Sequence, residues 1–77
     1  MSRQLVSMVA ECLVDRPGQV SVEEFDSGGV TVLELDVHPD DRGKIIGREG
    51  RTIQSLRSLL AAAGQARGKA WRLELLD

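Results

Sequence analysis

Two glycines three residues apart, Gly47 and Gly50, stand between an apolar pair, Ile45-Ile46, and an amphipathic helical pattern that begins near Arg51. Lys44, Arg48 and Arg51 surround them. Glycine has no Cβ, so its backbone can approach another backbone closely. A helix that starts just after such a turn offers unpaired N–H groups and a positive dipole end to an anion. The run Gly43 to Ile53 is therefore read as a clamp for phosphate, and it limits the flanking chain to a short helix before and a longer helix after.

The rest of the chain reads without linkers, repeats or low-complexity tracts. From Arg3 to Asp15, Leu5, Met8, Val9, Cys12 and Leu13 recur at helical spacing, and Arg16-Pro17-Gly18 ends that helix. Cys12 is read as a small core residue on this apolar face. Val20 and Val22 alternate with polar residues through Phe25 as a first strand, and Asp26-Ser27-Gly28-Gly29 reads as a hairpin turn. Val30 to His38 is a second strand, with Leu33, Leu35 and Val37 on one face and Val32, Glu34 and Asp36 on the other. His38 is read as a solvated residue at the strand end. Pro39-Asp40-Asp41 supplies a stop and an N-cap for a short helix through Ile46. After the glycines, a helix from Arg51 to Ala63 buries Ile53, Leu56, Leu60 and Ala63, with Gly64 as its stop. Gln65 to Lys69 reads as a basic loop, and Trp71, Leu73 and Leu75 alternate with Arg72 and Glu74 in a last strand.

The order is αββααβ. A tight turn makes the first two strands antiparallel, and a helical crossover makes the last parallel to the second. The expected fold is an α+β sandwich, a three-stranded mixed sheet covered on one face by three helices.

The segment Ile45-Ile46-Gly47-Arg48-Glu49-Gly50-Arg51-Thr52-Ile53 resembles the I-G-x-x-G-x-x-I core of KH domains, and the element order is similar to their type II arrangement. Across the whole chain, 1–77, the likeness is to the small single-domain bacterial KH RNA-binding proteins. It implies a GxxG loop gripping single-stranded RNA, about four nucleotides to a groove. The implied RNA-binding residues are Lys44, Ile45, Ile46, Gly47, Arg48, Glu49, Gly50, Arg51 and Ile53. Of these, Lys44, Arg48 and Arg51 would meet phosphates, and Ile45, Ile46 and Ile53 would floor the groove, with Ile46 and Ile53 also in the core. The resemblance further implies a homodimer, a heterodimer with a larger Jag-type KH protein, and a role as RNA chaperone or post-transcriptional regulator in cell elongation and division. It implies no cofactor.

Composition narrows the alternatives. Seventy-seven residues support one small core. With one Trp, one Phe and no Tyr that core is aliphatic, and the scarcity argues against a binding surface of stacked aromatic rings. One cysteine and one histidine make neither an internal disulfide nor, between them, a metal site. The longest apolar run, Leu59 to Ala63, is far shorter than a membrane span, and Glu11 and Asp15 interrupt any secretory stretch. A cytoplasmic protein is expected.

The formal charge of −2 hides a polarity. Residues 1–39 hold two arginines against seven carboxylates, whereas residues 40–77 hold eight basic side chains against five acidic. Positive charge thus gathers where the glycines lie, as steering of phosphates to one face requires. Catalysis is disfavoured, because Gly-Lys-Ile-Ile-Gly-Arg-Glu-Gly fits neither a Walker loop nor a dinucleotide fingerprint, and no nucleophile–base pair is evident. A protein-interaction module with an unused loop and a single-stranded DNA binder stay open. Glu49 between the arginines repels phosphate, which points to weak binding with little sequence specificity.

Overall fold

The structure is a computed structural model and describes residues 2–77. Its elements are α1 (Ser2–Leu13), β1 (Ser21–Ser27), β2 (Val30–Asp36), α2 (Arg42–Ile46), α3 (Arg51–Ala66) and β3 (Trp71–Leu75), with 3-10 turns at Pro17–Gln19, Pro39–Asp41 and Arg48–Gly50. The expected αββααβ order holds.

Gly28 and Gly29 have φ of 58° and 84°, which a two-residue type I′ turn requires at both central positions. The turn sets β1 antiparallel to β2 with Phe25 opposite Val32. The crossover through α2 and α3 brings β3 parallel to β2 with Leu33 beside Leu73, so the sheet order is β1-β2-β3. Leu33, Leu35, Val37 and Leu73 project from one sheet face into a core with Val6, Ala10, Ile45, Ile53, Leu56 and Leu60. Each buried valine, leucine or isoleucine among them contributes about 1.5–3 kcal/mol through burial.

Two helices differ from the sequence reading. In α1 the core face is centred on Val6 and Ala10, with Val14 just beyond the helix; Leu5 and Val9 only flank it, Met8 and Leu13 are exposed, and Cys12 is exposed rather than a core residue. The small Ala10 lets the helix lie close to the sheet, while apolar residues on two faces made the stripe ambiguous. The second difference is the end of α3. Gly64 does not stop it but is buried inside the helix, where a Cβ would meet the Lys69 carbonyl at 2.9 Å and the Trp71 ring at 3.3 Å. The stop is Gly68, at φ 67°, in a Schellman arrangement: Lys69 N–H donates to Gly64 O (2.7 Å) and Gly68 N–H to Gln65 O (3.1 Å). Gly64, not Ala63, thus completes the buried stripe of Ile53, Leu56 and Leu60.

The short helix is also capped differently. His38 Nδ1 accepts from Asp40 N–H at 3.1 Å, so His38 is the cap of the Pro39–Asp41 turn and is half-buried. Asp41 makes no side-chain cap; it is fully buried and accepts from the Arg16 backbone N–H at 3.1 Å.

Candidate nucleic-acid interface

The loop between α2 and α3 is built by backbone conformations that few residues tolerate. α2 closes at Gly47, whose N–H donates to Gly43 O (2.9 Å) and whose φ is 76°. A Cβ at this position would overlap the Thr52 side chain and lie 2.9 Å from Thr52 N, so glycine is required here twice over. Gly50 N–H returns to Gly47 O at 3.1 Å. Between them Glu49 adopts the left-handed region (φ 56°, ψ 26°), as does Gly50 (φ 74°, ψ 12°). A Cβ on Gly50 would meet nothing within 4 Å. α3 then starts with no side-chain cap; Arg51 N–H is taken by Arg48 O through the 3-10 turn, and the positive dipole end lies beside the loop.

The three cations expected to meet phosphates are in unlike situations. Lys44 Nζ lies 3.2 Å from Asp15 and 3.9 Å from Asp41, which engages it with carboxylates at the end of α1 and in the turn before α2. Arg51 pairs with Glu49 across 3.6 Å, with both side chains largely in solvent. Arg48 is exposed and has no ion-pair partner among the described residues.

The three isoleucines also separate. Ile45 is fully buried and Ile53 nearly so, both in the core. Ile46, expected in the core, is 42 % exposed beside the loop. Successive helical residues point about 100° apart, and in the five-residue α2 only one of the pair can face inward. Two contributors lie outside the expected set of RNA-binding residues. Arg57 on α3 donates its Nε–H to Leu73 O on β3 at 3.3 Å. The buried Asp41 gathers Arg16, at 3.5 Å, and Lys44 around the base of α2. The Arg57–Leu73 and Arg16–Asp41 contacts join segments distant in sequence, so no local pattern announces them, whereas Asp41–Lys44 is an i,i+3 pair.

Running from the loop along α3, an apolar depression is lined by Arg51, Thr52, Ser55, Leu56 and Leu59 opposite Val9 and Leu13 of α1, and Leu59 is 48 % exposed. Among the described residues no helix is long and apolar enough to cross a membrane.

The family model described as the KH domain of KhpA/KhpB matches residues 3–75, the whole of the sheet and its helices. The chain belongs to the KhpA/KhpB KH-domain family. Family relatives of nearly equal length include a Halalkalibacterium halodurans protein named RNA-binding protein KhpA, 45 % identical over 97 % of this chain and 99 % of its own. A Treponema pallidum protein of the same name is 40 % identical over all of this chain and 96 % of its own. Among solved structures, a crystal structure of Aquifex aeolicus Era superposes with a TM-score of 0.63 at 19 % identity. That match covers 96 % of this KhpA/KhpB-family chain but 29 % of Era, and it establishes a shared fold alone.

Proposed function

We propose that this chain, acting as one KH domain, binds single-stranded RNA through the loop at the start of α3. The observation that carries the reading is the coincidence, at residues 47–51, of an obligatory glycine turn, an uncapped helix N-terminus and the unpaired cation Arg48, in a chain whose full-length relatives are named RNA-binding proteins. The backbone of Gly47 and Gly50 admits a phosphate, Arg48 meets it, and Arg51 joins when its pair with Glu49 opens. Ile46 supplies exposed apolar surface beside the loop for a base, while Ile45 and Ile53 support it from the core. Lys44 contributes mainly by anchoring α2 to Asp15 and Asp41. Binding of this kind requires neither a cofactor nor a catalytic group, and we place it in the cytoplasm.

We further propose that the chain acts as an RNA chaperone or post-transcriptional regulator in cell elongation and division, as a homodimer or paired with a larger Jag-type KH protein. Exposed Leu59 beside Leu13 supports an association surface on α1 and α3, and joining two grooves raises effective concentration on one RNA. Gel shifts with short single-stranded RNA and DNA of the same sequence test the binding. A shift with RNA supports the reading, a shift with DNA alone replaces it by the DNA reading, and no shift with either leaves a protein-interaction module. Sedimentation at high micromolar concentration tests the dimer, which a monomer would contradict.

A further inference from the structure

Strand β3 is an edge of the sheet, and its free side runs beneath α3. The ladder to β2 uses the even-numbered residues: Thr31 N–H donates to Ala70 O (2.9 Å) and Leu76 N–H to Leu35 O (2.9 Å), in register with Leu33 beside Leu73. Trp71, Leu73 and Leu75 therefore turn their N–H and C=O groups outward, away from the sheet. An open strand edge of this sort is a row of unpaired donors and acceptors. Here one of them is occupied. Arg57, from the flank of α3 opposite the Leu59 depression, donates Nε–H to Leu73 O.

The position of Arg57 follows from the helix. It lies six residues after Arg51, so about 9 Å along α3 from the glycine loop at 1.5 Å per residue. A strand gripped over about four nucleotides at the loop brings a base to Arg57 if it crosses α3 from the Arg51 side towards the β3 edge. Arginine carries five N–H donors. One is spent on Leu73, and among the described residues no carboxylate pairs with the others. With Nε–H on Leu73 O, both terminal nitrogens remain available as a donor fork.

We propose that Arg57 is a base-specificity residue that favours guanine over adenine in the nucleotide lying across the β3 edge. Guanine presents O6 and N7, two acceptors matched to an arginine fork, whereas adenine places an amino donor in the position of O6. The inference rests on the RNA reading above and deepens it: the loop grips the backbone, and Arg57 reads a base.

The test is fluorescence anisotropy with labelled uridine octamers whose two central bases are GG or AA. Wild type binds the GG octamer about tenfold more tightly, within the range a bidentate arginine contact provides. Arg57→Lys keeps the charge but loses the fork; the ratio falls towards one while affinity for the AA octamer changes by less than about twofold, as expected when phosphate contacts are retained. Equal affinities in wild type overturn the inference, whatever the variant does. An equal loss on both octamers in Arg57→Lys, with a shallower salt dependence, also overturns it by making Arg57 a phosphate contact. Failure of wild type to bind either octamer, or a mixed-sequence octamer measured beside them, removes the RNA reading and the inference together. A circular-dichroism melt of Arg57→Lys that matches wild type shows that the fold is unaltered.

Discussion

The two ends of α3 use glycine in the same pair of ways but become different surfaces. At each end one glycine is pinned by packing, Gly47 against Thr52 and Gly64 against Lys69 O and Trp71, and one with positive φ, Gly50 or Gly68, faces open space. At the C-terminal end the Schellman bonds satisfy the last carbonyls, and Arg67 donates to Ala63 O at 3.1 Å, so backbone charge is neutralised from within. At the N-terminal end no side chain caps the helix, and Arg48 stands free in solvent. Glycine spacing alone does not make an anion site. The sign of the helix end and the state of the nearby cations decide it.

The largest effect should come from charge at the N-terminal end. Arg48→Asp combined with Glu49→Asp replaces the unpaired cation with a carboxylate, and RNA binding should be lost in a gel shift. Both positions are exposed, so stability should change by less than about 0.5 kcal/mol. Binding that survives in the folded double variant would dissolve the distinction between the two ends.

Next is the packed glycine of the same end. Gly47→Ala meets both a left-handed φ and the Thr52 backbone, and should lose about 3 kcal/mol as the strain and overpacking penalties combine. For a domain of this size that is a fall in melting temperature of roughly 12–24 °C. Gly64→Ala, whose φ is helical, should lose only about 1 kcal/mol, because better helix propensity offsets part of its overlap. Thermal melts of the two variants check the order.

These contrasts also show where the sequence was legible. The αββααβ order and the buried Ile53, Leu56 and Leu60 follow from periodicities of two and 3.6, which are local. The end of α3 was misplaced because Gly64 and Gly68 look alike in sequence; their difference lies in Trp71 and the Lys69 carbonyl, which arrive only when β3 docks. Met8 and Cys12 were assigned inward on hydrophobicity, yet the helix faces the sheet through Val6 and Ala10, where closeness favours small side chains. At the site, the glycines were legible because φ > 0 leaves a compositional mark. The capture of Lys44 by Asp15 and Asp41 was not, because Asp15 reaches it from a chain position far away.

A smaller effect separates the open glycines. Gly50→Ala and Gly68→Ala should each lose about 1 kcal/mol in a denaturant melt, from positive φ without a clash. Only Gly50→Ala should also weaken RNA binding, because its Cβ enters the open space proposed for phosphate. Equal RNA affinities for the two would blunt the comparison. The smallest change is Glu49→Asn, which tolerates the left-handed backbone and releases Arg51. It should raise RNA affinity by a few-fold at low salt. The slope of log K against log salt should steepen towards about −1.4 as Arg51, no longer held by Glu49, joins Arg48 fully; an unchanged slope would mean that Arg51 does not reach phosphate.

The central claim is that RNA backbone is held at the N-terminal end of α3 and not at its other end. Backbone amide shifts of the labelled protein, followed by NMR as a uridine octamer is added, test it most directly. The largest changes should fall on Gly47 to Thr52, with Gly64 to Lys69 near baseline throughout. Changes centred on Gly64 to Lys69, with Gly47 to Thr52 unmoved at saturation, would contradict the account.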